Sequence, residues 1–353
     1  MYKRQVRLRA VAALASGALL LSACGAGGGT GGPDTETASQ AASSNATGES
    51  TVKIATGVDL QTRVLAHLYQ QRLAADGITA SVVDVGTTRE QIVDALQAGR
   101  ATMVPDFTGD LYVYARQNER PASPQPSVSP SSMRSPAPDT DTPRGLLDSL
   151  GQLLGITGET GPSDDDVYRA LPGALPRGLT VLDSSSAQRT DRVVVTAATN
   201  AQYNLGGLNT IGEHCPEMAV GMARGYADSA QGERGLKAYY DCAPKAVPEF
   251  ATTGELVNAL LSHEVQAAVL RSSEPAIDDD GLVELDDPNR LFRPERAVVL
   301  SSEGMDDRAV ASANAVSADL TSEDLTTITR LAGGSGPAMS PEQTATFLRE
   351  QPR

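Results

Sequence analysis

The chain has 353 residues, 40% of them apolar, and a formal net charge of −15. That apolar share is enough for one large domain or two modest ones. The acidic surplus excludes nucleic acid and anionic membrane surfaces as partners, because their phosphates would be repelled.

Residues 1–9 are basic, with Lys3, Arg4, Arg7 and Arg9, and residues 10–21 are apolar. This is the pattern of a secretory signal, too short to span a bilayer permanently. It ends in Leu21-Ser22-Ala23-Cys24, which looks like a bacterial lipobox. The resemblance implies a signal peptide over 1–23, lipid on Cys24 and anchoring at the extracytoplasmic face of the cell membrane. Residues 24–50 are Gly, Ser, Thr, Ala and acids, a flexible tether with little to bury. Gly27-x-Gly29-x-x-Gly32 falls inside it. With no strand before it and no helix after it, that dinucleotide-like spacing carries no meaning.

From residue 51 strands and helices alternate. Val52–Thr56 reads as a strand, and Leu60–Ala75 as a helix with Leu60, Val64, Leu65, Leu68 and Leu73 on one face. Ile78–Val85 is a second strand. Thr88 and Gln91 have capping-box spacing for a helix through Ala98, and Thr102–Val104 is a third strand. Such alternation implies a parallel sheet covered by helices. Residues 117–162 interrupt it; seven prolines and six serines between Pro121 and Pro143 cannot build a core. A short helix is expected at Leu146–Leu154. Strands follow at Leu179–Asp183, Arg192–Thr196, Met218–Gly221, Ala246–Phe250, Val265–Leu270, Leu282–Glu284 and Ala297–Leu300. Helices are expected near Arg234–Tyr240, from Thr252–Glu255 through Ser262, and over Asp306–Leu320 and Ser322–Leu331. The fold class is therefore α/β in two lobes: 51–188 with 276–353 as lobe I, and 189–275 as lobe II.

If Cys24 is lipidated, Cys215 and Cys242 remain as an even pair. In an exported protein that reads as a disulfide, and in a reducing compartment as two thiols. His67, His214 and His263 have no metal-ligand spacing, and no nucleophile elbow or phosphate loop occurs. The acid runs Asp164–Asp166 and Asp278–Asp280 fit weak calcium sites or, more simply, solvated turns supplying helix caps. No catalytic residue, metal or cofactor is expected.

Val104-Pro105-Asp106-Phe107-Thr108-Gly109-Asp110-Leu111 resembles the Pro-Glu-Tyr-Thr-Gly-Thr segment of substrate-binding proteins from osmoprotectant ABC importers, the glycine betaine, choline and carnitine binders. Five further stretches match in order: Val64–Tyr69, Gly86–Thr88, Thr196–Leu205, Gly232–Tyr240 and Leu285–Phe292. The resemblance implies a periplasmic-binding-protein type II fold, with two hinged lobes closing on a small solute, and a permease and ATPase as partners. It implies a monomer, and ligand contacts at strand ends: Thr56, Asp59, Thr87, Phe107, Thr108, Asp110, Asp191, Tyr226, Arg271 and Ser272.

Relatives hold a trimethylammonium group in a box of tyrosines. Here only Phe107 and Tyr226 keep aromatic character, while Asp191 and Arg271 stand at aromatic positions and Ser229 where relatives have arginine. A quaternary-ammonium, zwitterionic or other polar solute follows. Arg271 and Asp191 would either bind that solute or tie the lobes together by a salt bridge. A surface sensor with an eroded box, outside transport, is the alternative function. An extracytoplasmic enzyme using crevice carboxylates is a third.

Overall fold

The computed structural model describes residues 51–117, 162–334 and 337–351. The signal segment, Cys24, the tether, the helix expected at Leu146–Leu154 and nearly all of the Pro/Ser-rich stretch lie outside the described residues. Among the described residues no helix is long and apolar enough to cross a membrane.

The first lobe starts with β1 (Val52–Ala55), α1 (Leu60–Ala75), β2 (Ala80–Val83), α2 (Arg89–Gln97), β3 (Met103–Phe107) and α3 (Thr108–Gln117). β1 lies between β2 and β3 and runs parallel to both. Val52 and Ile54 are buried in one core with Val64, Leu65, Leu73 and Tyr69 of α1, so the periodic face read from sequence is the packed face, while Ala55 is buried on the opposite side with Ile92 and Val93 of α2. Thr88 and Gln91 form the expected capping box, and Asp59 caps α1 through Thr62 in the same manner. The turn from β1 to α1 requires Gly57, because a Cβ there would sit 2.0 Å from the Thr62 hydroxyl.

Beyond the undescribed stretch come α4 (Asp164–Ala174), β4 (Leu179–Val181) and β5 (Gln188–Arg189). The chain then crosses into the second lobe: β6 (Asp191–Val195), α5 (Ala197–Tyr203), α6 (Leu208–His214), β7 (Val220–Ala223), α7 (Glu233–Tyr240), β8 (Glu249–Phe250), α8 (Thr253–Leu261), β9 (Ala267–Arg271), α9 (Ala276–Asp279) and β10 (Val283–Glu284). Its sheet has the order β10-β6-β9-β7-β8. The Thr252–Glu255 box opens α8 as expected. The chain returns through β11 (Glu295–Ser302), α10 (Asp307–Asp319), α11 (Ser322–Ile328) and α12 (Pro341–Glu350). β11 enters the first sheet antiparallel to β3, between β3 and β4.

Three expectations are corrected. The second lobe does not end at residue 275: β10 belongs to its sheet, so the return crossing lies between β10 and β11. The first sheet is not wholly parallel, because β11 arrives from the other lobe in the opposite direction. Of the acids 164–166, Asp165 is exposed and Asp166 completes the capping box of α4 as expected, but Asp164 is not solvated. Ser163 is the N-cap of α4, and Asp164 is buried, pairing with Arg296 and accepting from the Thr108 hydroxyl at 3.0 Å. Helices α3, α4, α5, α6, α9 and α12 were not read from the sequence. Cys215 and Cys242 are bonded to one another with Cα atoms 5.2 Å apart, linking the end of α6 to the end of α7.

Candidate functional site

The short strands at the crossings set the site. In an extended chain, residues i and i+2 share a face, which puts Arg189 and Asp191 on the same side. Arg189 lies opposite Glu295 of β11, and Asp191 lies opposite Arg271 of β9. Two oppositely charged cross-strand pairs therefore stand side by side where the lobes meet. Arg271 Nε is 3.4 Å from Asp191, and its Nη1 is 3.6 Å from Glu295, so Glu295 joins the two pairs.

Arg189 is the centre of this cluster. Its side chain is 3% exposed. It donates to Asp59 at 2.6 Å, Gln61 at 3.1 Å, Asp110 at 2.9 Å and Glu295 at 3.2 Å. Its guanidinium also lies 3.4 Å from the centre of the Phe107 ring, a cation–π contact. The helices that follow β1, β2 and β3 deliver the surrounding charges. Asp59 caps α1, Arg89 opens α2, and Asp110 lies in the first turn of α3. Arg89 forks onto Asp106 at 2.7 and 2.8 Å and reaches Asp110 at 3.4 Å. Gly109 lets Glu295 approach, since a Cβ there would meet the Glu295 side chain at 2.8 Å.

Burial works against ionisation of Asp59, yet Arg189 and the Thr62 amide outweigh it and hold the carboxyl below its ordinary value. Asp110 follows the same pattern, with Arg189 and Arg89 overcoming burial. Glu295 does not. Burial, reinforced by Asp110, pushes it up to about 7 against the pull of Arg189 and Arg271. Arg189 keeps its charge because Asp59, Glu295 and Asp110 outweigh its desolvation.

Beside this cluster lies a chamber of about 390 Å³. Asp59, Leu60, Gln61 and Thr329 line it from the first lobe. Tyr226, Thr253, Leu256, Val269, Arg271 and Glu274 are among the second lobe's contributions, and Arg189 and Asp191 stand at the crossing. Tyr226 donates its hydroxyl to Asp191 at 2.7 Å. Burial first, then Asp191, raises the phenol well above its ordinary value, so it remains a donor. Gln61 Nε2 donates to Ser273 at 2.9 Å and to Thr329 at 3.2 Å.

Of the ten residues expected from sequence, Asp59, Asp191, Tyr226 and Arg271 line the chamber. Phe107 and Asp110 belong to the same cluster but stand behind Arg189. The other four do not line it. Thr56 donates its backbone N–H to Val83, and Thr87 its own to the Gln91 side chain. Thr108 is fully buried between Asp164 and the Arg296 amide. The Ser272 hydroxyl accepts from the Thr190 amide. Sequence reasoning missed Arg189, Glu295, Gln61, Glu274 and Arg89. The one available signal was Arg189 two residues before Asp191 at the lobe boundary.

A profile of the OpuAC family, described as the substrate binding domain of ABC-type glycine betaine transport systems, matches residues 50–345. A crystal structure described as a glycine betaine/carnitine/choline ABC transporter superposes with a TM-score of 0.61 at 16% identity, over 85% of this chain and 98% of that one. Apo YehZ from Escherichia coli gives 0.58 at 14% identity, over 85% and 98% respectively. At these identities the likeness is one of fold: the two-lobed architecture of type II periplasmic binding proteins. No curated protein matches the sequence.

Proposed function

The chain belongs to the OpuAC family, the substrate binding domains of ABC-type glycine betaine transport systems, and from that premise we propose how this member works. It captures a small quaternary-ammonium, zwitterionic or other polar solute in the chamber between its lobes and presents it to a membrane permease driven by an ATPase. The observation that supports this reading is the chamber itself. A space of about 390 Å³ lies within the size range of small-molecule sites, and both lobes contribute to its wall. Its charged wall combines Asp59 of the first lobe, Arg189 and Asp191 at the crossing, and Arg271 and Glu274 of the second lobe. A solute bound there would touch both lobes at once and so favour their closed arrangement.

In this reading the protein is a monomer, exported and held at the outer face of the membrane by lipid on Cys24, where Cys215 and Cys242 would be oxidised. Calorimetry against glycine betaine, choline, carnitine, amino acids and polyols tests the binding role. At least one should bind in the micromolar range. Failure of all of them would count against it.

A further inference from the structure

We propose that the solute is a zwitterion whose cation carries N–H groups, with Arg271 taking its acid group and Glu274 its ammonium. This rests on the solute-binding reading above and narrows it.

Charge balance gives the first constraint. Among the described residues, three guanidinium groups stand around the chamber and the cluster behind it, Arg89, Arg189 and Arg271. Six carboxylates face them: Asp59, Asp106, Asp110, Asp191, Glu274 and Glu295. Even with Glu295 holding a proton, negative charge is in excess, so the occupant brings a positive group.

The second constraint is which groups are already engaged. Asp59, Asp110 and Glu295 converge on Arg189, and Asp106 is forked by Arg89. Glu274 lines the chamber without such a partner. The cation that acts on it, Arg330, is bound by Asp279, and its own contact is a 3.5 Å approach of the Ala276 amide. Burial raises the Glu274 carboxyl above its ordinary value, as expected of an acid short of compensation. Arg271 is the complementary case. It is 38% exposed and meets Asp191 and Glu295 only at 3.4 and 3.6 Å, leaving most of its five donors for an incoming carboxylate. The backbone turn in which Glu274 donates to the Arg271 carbonyl at 2.8 Å puts both residues on one rim.

The third constraint separates N–H cations from quaternary ones. The near face of Phe107 is covered by Arg189, which leaves Tyr226 as the aromatic ring of the chamber wall. Glu274 stands on the same wall, while the Ser273 and Thr329 hydroxyls already accept from Gln61. A quaternary ammonium cannot donate to Glu274, and desolvating a carboxylate without a hydrogen-bonded cation is unfavourable. A primary or secondary ammonium satisfies it. Leu60, Leu256, Val269 and Ala223 add an apolar wall for a small hydrocarbon body.

The test is isothermal calorimetry on the purified protein with L-proline and L-leucine, their N-permethylated forms, and their carboxamides. At least one parent amino acid should bind tenfold or more tighter than its permethylated form, and the carboxamides should show no binding at concentrations that saturate the parent. Glu274→Gln should erase the preference over the permethylated form. The melting temperature of this variant verifies its fold. Equal or tighter binding of the permethylated compounds, or a preference unchanged in Glu274→Gln, overturns the inference and leaves the solute-binding reading in place. Silence from all six compounds also overturns it, and the broader reading then stands or falls on the other solutes named above.

Discussion

Replacing Arg189 by methionine keeps most of the side-chain bulk and removes the cation from three carboxylates. Arg189 is 3% exposed and is held by Asp59, Asp110, Glu295 and Gln61. Breaking a buried ion pair by removing one partner costs roughly 3–5 kcal/mol. Asp59 and Asp110 are 34% and 39% exposed, so water compensates them in part and the low end, about 3 kcal/mol, applies. For a domain of this size that is a fall of roughly 6–12 °C in Tm. The loss also has a sign in pH. Asp59 and Asp110 are held below the ordinary Asp value of 3.8, so their contribution is complete above that value and disappears as pH falls through their folded values. Thermal unfolding of both proteins at pH 7.5 and near pH 3 measures the gap, which should be wider at the first than at the second. A loss under about 1 kcal/mol, or a gap indifferent to pH, would refute Arg189 as the centre of the cluster.

Arg271→Ala should abolish solute binding in calorimetry and shift the unliganded Tm by less than about 2 °C, because its guanidinium is partly exposed and its contacts, at 3.4 and 3.6 Å, are long. A large loss of stability with binding intact would instead make Arg271 a tie between the lobes. Glu295→Gln tests the raised acid. The Glu295 folded value of about 7 exceeds its ordinary 4.5. The unfolded chain therefore releases this proton first, and stability falls as pH rises through that window, by roughly 3 kcal/mol at most. The Tm of wild type relative to Glu295→Gln should drop between pH 5 and 8; a constant difference contradicts the assignment. Gly109→Ala should displace Glu295 and lower Tm, whereas an unchanged Tm would mean the contact is loose. Reduction of Cys215–Cys242, which are separated by 27 residues, should cost about 3 kcal/mol by chain entropy, read from urea unfolding with and without reductant.

The two-lobe α/β plan was legible because its signals are local. Periodic apolar faces and the Thr88–Gln91 and Thr252–Glu255 boxes specify helices wherever the chain lies in space. Helices α5 and α6 were missed because at seven residues each they hold too few turns to show a period. The site was half legible. Asp191 and Arg271 could be singled out as charges standing where aromatic residues were expected. Arg189 and Glu295 could not, because their pairing depends on the register of β5 against β11, 106 residues apart in sequence. Thr108 misled for a related reason. It sits in the most recognisable motif, but its hydroxyl is bound by Asp164 from beyond the undescribed stretch. The end of the second lobe was misplaced although Leu282–Glu284 was read as a strand, because its sheet is decided by pairing with β6, which is remote in sequence.

The central claim is that one solute is gripped by both lobes at the chamber beside Arg189. A crystal structure grown with the tightest-binding solute tests it most directly. The account predicts the solute within hydrogen-bonding distance of Arg271 at the end of β9, against Leu60 and Gln61 of the first lobe and Tyr226 of the second. A solute bound to one lobe alone, or in another cavity with this chamber left to water, would contradict it.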